Sequence, residues 1–409
     1  MGKRNSLVVG LDVATTKVSA VVGELTPEGD LEIIGVGHRP CKGMRKGVLL
    51  NIDSTVEAMG AALEDAEVMA GVRIDTAYVG ITAGQVEGLQ AAGSIELQAK
   101  SVTLRGIQQV IETTRSLTLS SERDVLHVIP QEFTLDGEEG IPNPVGMAGA
   151  KLEVRAYVIT AAATAVQSML KAVDLTRITV SELVAGHLAS AEAVLTAEEK
   201  HVGVALIEIG GGITDIAVYS EGGPKHIASL AVGGNHVTHD IAVGLRTPVG
   251  EAERIKKQFG CALLSMVRAE DMVDVHTVGG KETQRVPRKF LVEIIEPRVE
   301  EIFALALHNI QQGGFFDAIP AGVVITGGAT IMPGMVEAAE EVFELPVRIG
   351  LPIGISGLTD IVTNPIYATG VGLALYGRNR LLEAAAAHSG RTGLGGAFRR
   401  MAVWLQDLF

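Results

Sequence analysis

The chain has 409 residues, 47% of them apolar and 20% charged. That composition excludes a disordered protein, and the length asks for two or more lobes rather than one core. A formal net charge of −14 excludes nucleic acid as the main partner, since a phosphate backbone needs a basic footprint. Abundant glycine, at 49 residues, with few aromatics favours an α/β protein rich in tight turns. Cys41 and Cys261 have no CxxC spacing, so neither a disulfide framework nor a zinc site is indicated, and a reducing compartment fits best. The apolar run after Lys3 and Arg4 is too short for a signal peptide and meets Asp12 at once. No stretch is long and apolar enough to span a bilayer. The expectation is a soluble, cytoplasmic chain unless a surface element attaches it to a membrane.

Leu7–Val13 reads as a buried strand ending in the turn Ala14-Thr15-Thr16-Lys17. Val18–Leu25 and Leu31–His38 read as the next two strands, separated by the turn Thr26–Asp30. Ser54–Ala70 has helical periodicity, with Ser54 as N-cap and Gly71 as the stop, and Thr76–Thr82 follows as a strand. The opening of this order recurs at Val202–Ile209, the turn Gly210-Gly211-Gly212, Ile213–Tyr219, the turn Glu221-Gly222-Gly223 and Lys225–Val232. Two strand–turn–strand units, each with an acid at the turn, indicate an internally duplicated fold. Gln85–Thr160 does not repeat and is a candidate inserted subdomain, with a helix over Ser101–Leu117 and strands over Val125–Pro130 and Lys151–Thr160. Pro248–Met266 and Val292–Gln312 read as helices, Gly322–Gly328 as a strand, and another helix follows Pro333.

Asp12–Lys17 places an acid, two hydroxyls and a lysine on one hairpin, able to aim backbone N–H groups at phosphate oxygens. Glu208–Asp215 repeats the arrangement around three glycines, which let the backbone approach an anion with no Cβ in the way. Asp12 and Asp215, facing each other across a cleft, are placed to hold Mg2+ through water. Each turn alone reads as an ordinary β-turn. The two together, with a third glycine segment at Ile325–Ala329, read as phosphate recognition. No GxxxxGK[ST] occurs, which excludes a P-loop.

The two hairpins and Val324–Ala329 resemble the nucleotide fingerprint of the actin, sugar-kinase and heat-shock chaperone superfamily. The resemblance implies ATP held at its phosphates by Asp12, Ala14, Thr15, Thr16 and Lys17, and by Gly210, Gly211, Gly212, Ile213 and Thr214. It implies adenosine at Gly327, Gly328 and Ala329, and a ribose-contacting helix at Gly250–Lys257 carrying Glu253 and Lys256 on one face. Read bare, that pair is a surface ion pair. Within the superfamily, Leu126–Phe133 and Gly140–Met147 resemble segments peculiar to the FtsA family of bacterial division proteins. The likeness continues at Gly260-Cys261-Ala262, Glu296-Pro297-Arg298 and Gly357-Leu358-Thr359-Asp360.

That resemblance implies an actin-like duplicated two-lobe α/β fold with a nucleotide cleft, an inserted α+β subdomain and a C-terminal amphipathic helix on a flexible linker. The expected parts are a first-lobe core (1–82 with 163–196 and 349–382), the insertion (83–162), a second-lobe core (197–226 with 309–348), an outer subdomain (227–308), the linker (383–397) and the helix (398–409). Three positions depart from the pattern: Ala14 replaces the usual glycine, Glu208 the commoner Asp, and Ile213 a hydroxyl residue. Related filaments carry a water-activating carboxylate near the segment Leu183–Leu188, where none is evident here, so at most slow ATP hydrolysis is expected.

In the tail, Phe398, Met401, Trp404, Leu405, Leu408 and Phe409 recur at helical spacing, with Arg399 and Arg400 at the start. An apolar stripe with arginines, after a flexible linker, reads as an interfacial helix for an anionic membrane surface; a helix docked on the protein's own core is the plainer alternative. One short helix attaches weakly, so a filament presenting many copies gains by avidity. The family resemblance implies such a tail and self-assembly into filaments. It implies that the helix Phe290–Gln312, with Arg288 and Arg298, receives the C-terminal tail of the tubulin-like FtsZ. Further implied are later division partners and a place on the cytoplasmic face of the bacterial inner membrane at the division site. Bare, Arg288-Lys289 is a solvated charge pair. The competing readings are a small-molecule kinase of the same superfamily and an MreB-like filament; too few residues follow Leu382 for the substrate domain of a chaperone.

Overall fold

The computed structural model describes residues 7–82, 86–98, 101–118, 121–278 and 283–389. Strands β1 (Leu7–Val13), β2 (Lys17–Leu25) and β3 (Leu31–Pro40) form an antiparallel meander. They are apolar on both faces because helices cover both. A short hairpin, β4 (Met44–Arg45) and β5 (Val48–Leu49), leads to α1 (Ile52–Ala70), which packs on one face of the meander. β6 (Thr76–Ile81) then returns parallel to β1. The chain leaves the lobe through β7 (Val86–Glu96), α2 (Leu104–Thr118), β8 (Arg123–Leu135), β9 (Glu138–Ile141) and β10 (Lys151–Ala162). These strands make a separate sheet in the order β7-β10-β8-β9, with its own small core against α2. α3 (Ala163–Asp174), β11 (Thr179–Ala185) and α4 (Gly186–Val194) complete the return.

The second lobe runs through α5 (Ala197–Val202), β12 (Val204–Ile209), β13 (Thr214–Ser220), β14 (Gly223–Leu230), α6 (Gly234–Gly244) and α7 (Val249–Phe259). It continues with β15 (Met272–His276), β16 (Thr283–Pro287), α8 (Arg288–Gln312), β17 (Val323–Thr326), α9 (Met335–Phe343) and β18 (Val347–Ile349). β19 (Ile355–Gly357), α10 (Thr359–Val362) and α11 (Ala368–Ser389) bring the chain back to the first lobe. The first sheet has the order β11-β6-β1-β2-β3-β19 and the second β14-β13-β12-β17-β18. In both, an antiparallel three-strand meander is extended beside its first strand by two parallel strands, and in the first sheet β19 adds a third, parallel to β3. The duplication expected from the two hairpins is therefore a duplication of whole sheets.

Helices α4 and α11 lie between the sheets. One buried cluster runs from Val8 and Val21 of the first sheet through Ala191, Val371 and Leu375 to Leu206, Ala217 and Val324 of the second. The helices cross so closely that a Cβ on Gly372 would stand 1.7 Å from the Ala189 carbonyl oxygen, which no side chain tolerates.

Four local expectations need correction. The first helix begins at Ile52, because the Asn51 side chain caps it by accepting from the Ser54 N–H. Gly71 stops it in the left-handed region, as expected. Residues 197–202 are a short helix held by a Thr196/Glu199 capping box, and the strand starts only after Gly203. The helix expected over Pro248–Met266 ends at Phe259, followed by a short 3-10 turn at Leu264–Met266. Finally, α11 runs through Ser389, so the segment expected as linker from 383 is helical at its start; Ala384–Ala387 are strong helix formers. The rest of the expected linker and the segment 398–409, expected as a helix with Phe398, Arg399, Arg400, Met401, Trp404, Leu405, Leu408 and Phe409, lie outside the described residues.

The insertion is tied to the second lobe as well as the first. The Ile227 N–H on β14 donates to the Tyr157 hydroxyl on β10 at 2.9 Å, in a buried position. Tyr157→Phe leaves that N–H without an acceptor, at an expected cost of about 1–3 kcal/mol. The checks are a lower urea midpoint and faster amide exchange at Ile227; an unchanged midpoint and exchange rate would show that the contact carries nothing.

Candidate functional site

The first hairpin closes with the Ala14 N–H donating to Lys17 O, and the second with Gly210 N–H donating to Ile213 O. The two turns abut: a Cβ on Gly211 would stand 2.4 Å from Thr16 Cγ2, and one on Gly212 2.6 Å from Thr15 Cγ2. The absence of side chains at these glycines is therefore a requirement of the approach between the two turns, whereas the sequence reading assigned them to the approach of an anion. Helix α6 braces the second turn from behind, with the Gly234 and Asn235 N–H groups donating to Gly210 O and Gly211 O. Those helix-start donors could serve an anion; here they hold the turn.

The other expected segments converge on the same place. A Cβ on Gly234 would lie 3.3 Å from Ala329 Cβ, 3.5 Å from Lys256 Nζ and 3.6 Å from Gly210 O. Gly327 has φ +92 and its backbone sits against Ile209 O, while Gly328 approaches Ile366. Lys256 Nζ reaches Glu253 at 2.7 Å and donates to Gly234 O at 3.0 Å and Thr238 Oγ1 at 2.8 Å. Glu253 accepts from the Thr238 hydroxyl at 2.5 Å. Burial acts to raise the Glu253 carboxyl, but Lys256 and Thr238 outweigh it and hold it low. Burial also lowers Lys256 despite Glu253. The pair is thus a half-buried lock between α6 and α7, more than a surface ion pair.

Not every candidate presents its side chain to a ligand. Thr15 Oγ1 accepts from the Gly47 N–H at 3.1 Å. Thr214 is fully buried and donates to Val232 O at 2.9 Å, so it braces the end of β14. Ile213 is buried apolar packing. Thr16 is exposed. Lys17 donates to Asp12 Oδ2 at 2.5 Å.

Three acids gather behind the two hairpins. Asp12 and Asp215 are both buried and interact electrostatically. Glu208, cross-strand from Asp215, accepts from the Thr369 hydroxyl at 2.6 Å through Oε1, while buried Oε2 has no hydrogen-bond partner. Burial first, then the Asp215 and Asp12 charges, push the Glu208 carboxyl up to about 7. No group of three or more His, Cys, Asp or Glu side chains able to hold a metal ion directly forms among the described residues. A divalent ion would therefore be held through its waters, with Asp12 and Asp215 as second-sphere acceptors. The residues fit that role: three neighbouring carboxylates, one with an unpartnered oxygen, gain from a nearby cation.

Arg288 and Arg298 are not brought together. Arg288 donates to Phe259 O and pairs with Asp271, whereas Arg298 pairs with Asp240 of α6 at 2.6 Å and with Glu301. A cavity of about 340 Å³ lies elsewhere, between the insertion and the two lobes, lined by His127, Glu182, Glu192, Tyr376 and Arg380 among others. None of the phosphate candidates borders it.

The sequence reading missed Gly233–His236, Thr369, His187 and Ser229. Glycines opening a helix just after a strand were a usable signal for the first of these. Thr369 offered none, since its partner Glu208 is 161 residues away.

Comparison with known proteins decides the family. The chain is 42% identical to cell division protein FtsA of Pseudomonas aeruginosa over 91% of its own length and 89% of that protein's. It is 38% identical to the FtsA of Escherichia coli K12 over 98% of both chains. The chain belongs to the FtsA family. The family model for cell division protein FtsA matches residues 205–372, and the model for the SHS2 domain inserted in FtsA matches residues 83–160. Among solved structures, the PilM–PilN type IV pilus biogenesis complex aligns with TM-score 0.65 at 15% identity, covering 91% of this chain and 98% of that one. MreB5 of Spiroplasma citri bound to ADP aligns with TM-score 0.56 at 13% identity, covering 93% and 98%. The fold is the actin-like one that the resemblance implied, and the chain is an FtsA-type cell-division protein. Among the described residues, no helix is long and apolar enough to cross a membrane.

Proposed function

We propose that this FtsA-family chain binds ATP with Mg2+ in the cleft, polymerises, and anchors FtsZ filaments to the cytoplasmic face of the bacterial inner membrane at the division site, where it recruits later division proteins. The observation that carries the nucleotide part is the meeting of Gly210, Gly234, Ala329 and Lys256 within a few ångströms, drawn from four separate segments. Backbone N–H groups of the two hairpins and Lys17 serve the phosphates, Gly327–Ala329 faces the adenine side, and Glu253 and Lys256 the ribose side. Bound Mg2+ supplies neutralisation of phosphate charge, with Asp12 and Asp215 orienting its waters. The helix 398–409 attaches to anionic lipid, and self-association turns weak single attachments into avid binding. The FtsZ tail docks along α8, where Phe290 is exposed beside Arg288.

The start of α4 is Gly186-His187, with no carboxylate to activate water, which supports ATP as a structural switch with slow or negligible turnover. The testing experiment is co-sedimentation with anionic vesicles, with and without Mg-ATP, of the full chain and of a chain ended at Leu394. The full chain should pellet more with Mg-ATP, and truncation should reduce pelleting by roughly 10-fold or more. Equal pelleting of the two chains would make the tail a docked helix and remove the anchor.

A further inference from the structure

His187, the second residue of α4, is 1% exposed and reaches from the first lobe to the second. Its Nε2 lies 3.1 Å from Ala228 O, 3.2 Å from Ser229 Oγ and 3.4 Å from Asp215 Oδ1. All three neighbours are oxygens, and a carbonyl and a carboxylate only accept. The ring proton therefore sits on Nε2. Nδ1 is left as the bare acceptor, and it is buried with no hydrogen-bond partner. Ser229 on β14 donates its hydroxyl to Asp215 Oδ1, which turns its own lone pairs toward the imidazole N–H. The chain of donors runs from His187 to Ser229 to Asp215, commits Oδ1, and leaves Oδ2 outside the network.

An imidazole is a costly choice for that place if it only fills space. Burying a polar ring nitrogen without a partner is unfavourable, and an apolar side chain would pack there without that penalty. What the ring does provide is a donor aimed at a carboxylate that lies on the other lobe.

We propose that His187 is the positioning residue for Asp215: from the first lobe, and through Ser229, it fixes the carboxylate orientation that meets the hydrated cation of a bound nucleotide. This rests on the nucleotide reading above. It makes the cation-binding carboxylate dependent on lobe closure, since α4 and the β13–β14 sheet edge must stand in register for the three groups to connect. Groups that orient metal-binding side chains from behind change metal affinity by roughly 10–100-fold when removed.

The test measures ATP affinity of the full chain with and without Mg2+, using a fluorescent ATP analogue, in wild type, His187→Ala, His187→Gln and Ser229→Ala. In wild type, Mg2+ tightens binding. In His187→Ala and Ser229→Ala that gain shrinks by about 10-fold, while Mg-free affinity of the folded chains changes far less; His187→Ala also melts lower, since it empties a buried, hydrogen-bonded position. His187→Gln, whose amide N–H can replace Nε2–H at similar volume, restores most of the gain. The nitrogen shifts of the wild-type imidazole report the Nε2–H tautomer even without nucleotide. Equal loss of Mg-free and Mg-dependent affinity, an undiminished Mg2+ gain in folded His187→Ala, or an Nδ1–H tautomer would each overturn the proposal. A wild-type chain that binds no ATP at all would instead overturn the nucleotide reading on which it stands.

Discussion

Gly211→Val is expected to reduce ATP affinity at least ~100-fold, a loss of about 2.7 kcal/mol, in titrations with a fluorescent ATP analogue. The reason is the approach of the two hairpins. A Cβ at Gly211 would stand 2.4 Å from Thr16 Cγ2 and 2.8 Å from Thr16 Oγ1. Neither turn can simply move aside. Gly211 O accepts from the Asn235 N–H at 2.7 Å and Gly210 O from the Gly234 N–H at 2.9 Å, so the second turn is fastened to α6. The first turn is fastened through the Thr15 side chain to the Gly47 N–H. A valine therefore pushes the two walls of the phosphate site apart while leaving each lobe's core intact. Gly60→Ala is the control, because an added Cβ there meets nothing within 4 Å and, in the middle of α1, Ala favours the helix by about 1 kcal/mol. Wild-type affinity in Gly211→Val would place the phosphates somewhere other than between the hairpins.

The two hairpins were legible in the sequence because their chemistry is local: a strand, an acid, glycines or hydroxyls, and a strand, all within a few residues. The duplication was legible for the same reason, since a repeated local pattern needs no knowledge of contacts. What stayed hidden depends on tertiary placement. Asn51 outcompetes Ser54 as a cap because the chain before it is folded back by Gly43, whose carbonyl accepts from the Leu50 and Asn51 N–H groups. Thr214 sits on a strand whose neighbours decide that its hydroxyl points to Val232 and not toward a ligand. Arg288 and Arg298 look like a pair on one helix, yet each is claimed by a carboxylate from another element, Asp271 and Asp240. The link from Glu208 to Thr369 joins the second hairpin to the helix between the lobes, and no spacing rule reaches that far.

Glu208→Gln is expected to stabilise the nucleotide-free protein at pH 8 by as much as about 3 kcal/mol and to leave it nearly unchanged at pH 4.5. In a free side chain this carboxyl titrates at 4.5; in the fold it is raised to about 7, by burial first and then by Asp215 and Asp12, with the Thr369 hydroxyl opposing. Between those values the folded chain keeps a proton that the unfolded chain has released, so stability falls as pH rises through the window and levels off above it. A glutamine keeps the acceptor that Thr369 uses and puts an amide donor where the unpartnered Oε2 stands, among carboxylates that can accept from it. Thermal melts of both chains at pH 4.5 and pH 8 measure the difference; wild type should lose more on the alkaline side, and the variant should show a flatter profile. Asp215 is also raised by burial, so some slope remains in the variant. A nearby cation acts on these carboxyls in the opposite direction, so Mg-ATP should narrow the gap between the two chains at pH 8. A gap that is the same at both pH values would mean that Glu208 is already ionised in the fold, with its charge met by Lys17.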